Sequence, residues 1–206
     1  MGDMRRVTRG HGLFDTFLAK RRSRMANKLI LQQQRNGRIL DIGCGATPYF
    51  LMNTRFRKKF AIDAVPQSKA AKQIVHKRVN IEEERLPFRN NFFDVVTLLA
   101  VFEHIDKTKI IDVLKEIERV LRPQGRFIIT TPCPWTGALL KTMAKVGLVS
   151  KEEIAEHKGA YSHRSLSLYL ESVGFKKASI KGGYFEWFLN SWTYVDNDLH
   201  CNVKGS

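Results

Sequence analysis

Cysteine is scarce in this chain and badly spaced for staples or metal. Cys44, Cys133 and Cys201 are odd in number, far apart and free of C-x-x-C spacing. A disulfide scaffold and a structural zinc site are therefore not expected, and the thiols should be reduced. Long apolar runs are missing too. None reaches the roughly 18 residues of a membrane span, and the longest, Phe92 to Phe102, is broken by Asp94. The basic N-terminus has no apolar stretch of signal-peptide length behind it. A cytoplasmic protein without a transmembrane segment is the expectation. Acidic residues are few, 20 Asp and Glu against 35 Lys and Arg, for a formal charge of +15. That excess is compatible with nucleic acid, anionic lipid or an acidic small substrate, and equally with a basic solubility surface. Repeats, low-complexity tracts and linker-like stretches are absent, so the 206 residues read as a single domain able to bury a full core.

What the chain does contain is an alternation of strands and helices. Leu13 to Gln34 has a helical apolar stripe (Leu13, Phe14, Phe17, Leu18, Met25, Leu29, Ile30) with Lys20, Arg21, Arg22, Arg24 and Lys28 on its other face. Residues 1–34 are thus expected to pack a basic amphipathic helix on a domain formed by residues 35–206. Such a helix can also touch a membrane surface or phosphates. Strands are predicted over Arg38–Ile42, Lys59–Asp63, Ile74–Val79, Phe92–Leu99 and Arg126–Thr130, with helices over Thr47–Arg57 and Asp106–Leu121. The pattern then loosens into a helix over Gly137–Val149 and a polar lid over Lys151–Tyr161. A helix over Ser165–Val173 follows. Two last strands, Phe175–Ile180 and Tyr184–Val195, are joined near Gly182-Gly183 and should be antiparallel. The expected fold is α/β, Rossmann-like, with a mixed, largely parallel seven-stranded sheet, an antiparallel last strand and helices on both faces.

Chemistry concentrates in Ile39-Leu40-Asp41-Ile42-Gly43-Cys44-Gly45-Ala46-Thr47-Pro48. A buried strand runs into a glycine turn, and Asp63 ends the second strand about 20 residues later. Glycines there let a ligand press on bare main chain, and the acid can accept hydrogen bonds from ribose hydroxyls. A dinucleotide site would want a third glycine for close helix packing at the pyrophosphate, where this chain has Pro48. Asp41 is likewise a poor neighbour for pyrophosphate and a good one for an ammonium group. An NAD-dependent enzyme is disfavoured on both counts.

The segment Ile39–Gly45 with Asp63 resembles the cofactor motifs of class I S-adenosylmethionine-dependent methyltransferases. Leu86-Pro87-Phe88 with Phe93-Asp94-Val95-Val96, then Phe102-Glu103-His104-Ile105, then Arg119-Val120-Leu121-Arg122-Pro123-Gln124-Gly125 are similar to the small-molecule (type 11) branch. The likeness covers roughly residues 35 to 132. It implies S-adenosyl-L-methionine as cofactor. By position, Asp41, Gly43, Cys44 and Gly45 would hold its methionine end, Asp63 the ribose and Ala64, Asn80 and Ile81 the adenine. Ala100, Val101 and Phe102 would close over it. Asn80 stands where the branch commonly has an acid.

Candidate acid–base groups are His104 after the fourth strand and His157 and His163 around the lid; Trp135 and Tyr161 are candidate substrate contacts. The run Tyr184, Phe185, Trp187, Phe188, Trp192 and Tyr194 reads as strand core. Cys133 reads as a buried neutral thiol, because the second cysteine motif of 5-methylcytosine RNA enzymes is missing from Leu99–Phe102, as is the Asn/Asp-Pro-Pro-Tyr/Phe motif of amino-methylating nucleic-acid enzymes. The expected activity is methyl transfer to a small or lipid-/carrier-linked metabolite at oxygen. The alternatives are an RNA methyltransferase working through the basic surface and a catalytically silent, cofactor-binding partner subunit. No metal is expected, and peripheral membrane contact and nucleic acid stay open as partners.

Overall fold

The computed structural model describes residues 15–66, 73–136, 159, 161–186 and 189–198. Seven strands form a single sheet: β1 Arg38–Ile42, β2 Lys58–Asp63, β3 Ile74–Arg78, β4 Phe93–Leu99, β5 Leu121–Pro132, β6 Ile180–Phe185 and β7 Asn190–Asp196, in the order β3-β2-β1-β4-β5-β7-β6. The first five pair in parallel, and β7 runs antiparallel to both β5 and β6. This is the mixed sheet expected from the sequence.

Helices cover both faces, which is why the central strands are apolar nearly throughout instead of alternating. Below one face lie α3 Ile110–Val120 and α4 His163–Ser172, packed on Leu40, Ile42, Val96, Leu98, Phe127 and Ile129. Against the other lie α1 Asp15–Leu29 and the single turn α2 Tyr49–Met52, with Ala26, Ile30, Phe50 and Leu51 on Ile39, Ala61, Val95 and Ile128. The Leu86-Pro87-Phe88 loop is bolted to α3. Arg119 donates to the carbonyls of Phe88 and Leu86 at 2.8 and 3.0 Å, and Glu116 accepts from the Leu86 N–H at 2.9 Å. Phe88 then meets Phe60 and Phe93 edge-on at 5.7 and 4.8 Å. No helix among the described residues is long and apolar enough to cross a membrane.

Several elements differ from the expectation. The strand predicted over Phe175–Ile180 is irregular chain and the 3-10 turn Lys177–Ser179, and β6 starts only at Ile180. The helix predicted over Thr47–Arg57 is one turn, because side chains take its carbonyls: Asn53 caps Tyr49 O at 2.8 Å and Lys59 caps Leu51 O at 2.8 Å. The helix predicted from Asp106 begins at Ile110, since Asp106 accepts from the Thr108 N–H at 2.9 Å and holds a turn ahead of it. Gly182 and Gly183 lie inside β6 and do not form the hairpin joint, which falls instead around Glu186, whose φ is 54°. Glycine is needed there for close approach. A Cβ on Gly182 would sit 2.0 Å from His163 Nδ1, and one on Gly183 2.7 Å from the Trp192 ring. The helix expected over 137–149 lies outside the described residues.

His163 is thereby a packing residue of β6 and β7, with Nδ1 3.1 Å from Thr193 Oγ1. Gly182→Ala should cost about 1–3 kcal/mol by overpacking. In urea unfolding, His163→Ala should recover much of that loss in the double variant, because the two sites touch; additive losses would show that they do not.

Candidate functional site

The carboxyl ends of β1, β2 and β4 meet where the chain reverses after Ile42. Gly43 and Gly45 both have positive φ, 72° and 69°, a region that β-carbons disfavour. Gly43 N–H donates to Ile62 O at 2.9 Å, and Gly45 N–H donates to Asp63 Oδ2 at 2.8 Å. The turn is therefore pinned to the end of β2. Gly43 also faces Val101, whose Cγ2 would lie 2.4 Å from an added Cβ. The segment after β4 thus closes directly against the turn, and no side chain fits between them.

Two carboxyl groups line this junction. Asp63, 6% exposed, also accepts from the Val65 N–H at 3.0 Å. Its two oxygens thus each accept a backbone N–H. Asp41, 3% exposed, accepts from Thr97 Oγ1 at 2.6 Å. Burial pushes its pKa up to about 7; the Thr97 hydroxyl opposes this and the nearby Asp63 charge adds to it. A carboxylate so placed favours a cation beside it. Cys44 is half-buried, its Sγ 3.6 Å from the carbonyls of Gly45 and Ile62.

Around this junction sit the other residues singled out from the sequence. Ala64 is exposed, and its carbonyl accepts from Arg78 Nε at 2.9 Å. Asn80 turns its Oδ1 to the Glu82 N–H at 3.2 Å, so that oxygen is already engaged in a turn, while Ile81 packs on the core. Ala100 takes φ 57°, costly for a residue with a β-carbon, and its N–H donates to Thr130 O at 2.9 Å. Phe102 is fully buried and meets Tyr161 edge-on at 4.8 Å. His104 is half-buried in the 3-10 turn Phe102–His104. Trp135 stands exposed beyond β5, its ring 5.5 Å from Tyr184. His163 is engaged on β7, as described, and His157 lies outside the described residues. Burial lifts the Cys133 thiol to about 11, as an unreactive core cysteine requires.

Two residues of this region escaped the sequence reading. Thr97 sits within an apolar strand and gave no sign that it would hold Asp41. Glu103 belongs to the Phe-Glu-His-Ile motif, yet it is 2% exposed and its Oε2 has no hydrogen-bond partner among the described residues.

Residues 40–129 match the family model for a type 11 methyltransferase domain. That stretch is a methyltransferase domain of the class I S-adenosylmethionine-dependent type, and S-adenosylmethionine is the cosubstrate such a domain implies. Among curated proteins it is 31% identical over 101 residues to a bovine protein named probable tRNA methyltransferase 9B. The match covers 48% of this chain and 22% of that one, so the chain spans under a quarter of that relative's length. Among solved structures, a chain of the complex between the Haloferax volcanii Trm112 methyltransferase activator and a methyltransferase superposes with TM-score 0.67. It is 14% identical and the match covers 91% and 97% of the two chains. An S-adenosylmethionine-dependent methyltransferase from Mesorhizobium loti gives TM-score 0.63 at 16% identity, over 87% and 99%. These two structures share the fold.

Asp41 carries a stability signature. Its folded-state pKa is raised, so the unfolded chain ionises first, near 3.8. The stability it contributes is full below about pH 4 and is lost as pH rises toward 7. Asp41→Asn should therefore exceed the parent protein in stability at pH 8, by on the order of 2–4 kcal/mol. The gap should close below pH 4 in denaturant titrations; a pH-independent difference would contradict the burial argument.

Proposed function

We propose that this protein transfers a methyl group to an oxygen of a small or lipid-/carrier-linked metabolite, with the donor held where β1, β2 and β4 end. The observation that carries this reading is the cradle itself: two positive-φ glycines with no room for a β-carbon at Gly43, and a carboxyl on each side. S-adenosylmethionine supplies a methyl group already activated on a sulfonium. The chain's task is then alignment and exclusion of water, plus proton removal where the acceptor must lose one.

Each residue has a share in this proposal. Asp41, steadied by Thr97, faces the ammonium end; Gly43, Cys44 and Gly45 give it bare backbone. Asp63 takes the ribose hydroxyls while still holding Gly45. Ala64, Asn80 and Ile81 border the adenine, and Ala100, Val101 and Phe102 close the site. Trp135 and Tyr161 lie on the acceptor side, with His104 as the candidate base. The N-terminal helix acts as part of the same domain, since Ala26 of α1 and Ile30 just after it complete a core cluster. Arginines of α1 favour an acceptor with an anionic carrier portion. Free Cys44 and Cys133 suit the reducing cytosol.

A second reading, methylation of RNA, is favoured by the bovine relative's name and by the charge of +15. Binding to bulk RNA against salt separates the two: a steep log–log slope requires many neutralised phosphates. A shallow slope is expected here.

Asp63→Ala should weaken S-adenosylmethionine binding roughly 10- to 100-fold by calorimetry, from lost charge-assisted hydrogen bonds, with an intact circular dichroism spectrum. Unchanged affinity would remove the cofactor assignment.

A further inference from the structure

Around Glu103 the protein holds more hydrogen-bonding capacity than it uses. Glu103 Oε2, the Thr131 hydroxyl and the Tyr161 hydroxyl are all buried and lack hydrogen-bond partners among the described residues. They are neighbours. The Gly159 N–H donates to Glu103 O at 3.2 Å, and the Tyr161 hydroxyl presses on Gly159, where a Cβ would lie 2.4 Å from it. Burial pushes the Glu103 carboxyl up; His104, Arg22 and the Thr131 hydroxyl only partly oppose it, the last without a hydrogen bond of normal geometry. Glu103 in turn helps raise Tyr161. Leaving such groups dry costs about 1–3 kcal/mol each, and more for a carboxylate. Native proteins keep few of them, and a turn that had only to fold would carry leucine or valine here.

The cluster lies on the acceptor side. Val101, two residues before Glu103, touches Gly43. At the same edge of the sheet, Thr131 pairs with Ser191 and Ser191 with Tyr184, which puts all three in one row. Trp135 and Tyr184, in ring contact with each other, are 56% and 45% exposed.

We infer that Glu103, Thr131 and Tyr161 form an acceptor subsite for a neutral, hydroxyl-rich group of sugar type, whose ring face rests on Trp135 and Tyr184. The donor and acceptor inventory selects that chemistry. An ionised carboxylate only accepts, whereas a phenol and a threonine hydroxyl do both, as vicinal hydroxyls do in return. A phosphate or carboxylate in the same place would face the Glu103 charge. An aliphatic group would leave all three polar atoms unpaired, which is how hydroxyl-binding sites reject analogues that lack the hydroxyl. This inference rests on the methyltransferase reading and names the acceptor's class.

The test uses the full chain with S-adenosylhomocysteine and saturation-transfer NMR. The probes are four neutral methyl glycosides (two hexosides, two 6-deoxyhexosides) set beside inorganic phosphate, ethanolamine and 1-hexanol. At least one glycoside should bind, at least fivefold more weakly in Glu103→Gln and in Trp135→Ala. S-adenosylhomocysteine affinity should change less than twofold in both variants. Glu103→Gln should melt at or above the parent temperature at pH 8, since burial disfavours the ionised carboxyl more than its neighbours favour it. No glycoside binding, glycoside binding indifferent to Glu103→Gln, or a less stable Glu103→Gln would each overturn the subsite. Failure of S-adenosylhomocysteine to bind the parent protein would fall on the methyltransferase reading instead.

Discussion

The hydrogen bond from the Gly45 N–H to Asp63 ties together the elements that make a site possible. It fixes the reversal after β1 to the end of β2, and the Gly43 contact with Val101 then fixes both to the segment after β4. Three strand ends are thus locked by main chain and one carboxylate, with little side-chain bulk. In an open parallel sheet this is the place where crevices form. The register supports it, because Asp41 lies level with Ala61 on β2 and Thr97 on β4. The same geometry that lets the strands pair also brings Asp41 under Thr97 and beside Asp63. Moving β1 by a residue would turn the Asp41 carboxyl to the opposite face, and moving β4 would do the same to Thr97.

Holding that crevice open has a thermodynamic cost, and its location is informative. Asp41 and Glu103 are both pushed toward the neutral form chiefly by burial, and Ala100 takes a left-handed backbone between them in sequence. These unfavourable features cluster on two adjacent strand ends; the sheet beneath offsets them with fully buried Leu40, Val96, Phe127 and Ile128. Strain and unpaired polarity that collect at one edge of an otherwise well-packed domain are what functional sites commonly carry.

Much of this was legible in the sequence, for definable reasons. Strands buried on both faces announce themselves as apolar runs, so β1, β4 and the core of β5 stood out, and with them a largely parallel sheet. Asp41, Gly43, Gly45 and Asp63 were readable because each breaks a local pattern: an acid within an apolar run, or glycine where a helix should begin. Thr97 and Glu103 were not, since a β-branched threonine suits a strand and a glutamate before histidine suits a surface turn; only three-dimensional neighbours make them unusual. Gly182 and Gly183 misled for the same reason. Glycine signals either a turn or a close approach, and the ring of His163, some 20 residues away, decides which.

The charge balance takes on a different meaning once side chains are placed. Five arginines serve as internal ties. Arg35 reaches Thr54 Oγ1 at 3.2 Å and Asn27 O at 2.8 Å; Arg38 lies over Phe92 at 4.5 Å. Arg119 holds the Leu86-Pro87-Phe88 loop, and Arg122 pairs with Asp94 at 2.7 Å. Arg126 is bidentate to Asp196 at 2.7 and 2.8 Å and donates to Leu29 O, which fastens α1 to the sheet. Guanidinium groups suit this role because their planar fork meets several carbonyls at once. Arg21 lies 3.7 Å from Glu186, and Arg22 lowers both Glu103 and Glu186, so even the basic face of α1 is turned in part toward buried acids. A nucleic-acid surface needs its cations outward and clustered. Here Arg35, Arg38, Arg119, Arg122 and Arg126 are fixed in the scaffold, so the formal excess by itself does not describe a nucleic-acid surface.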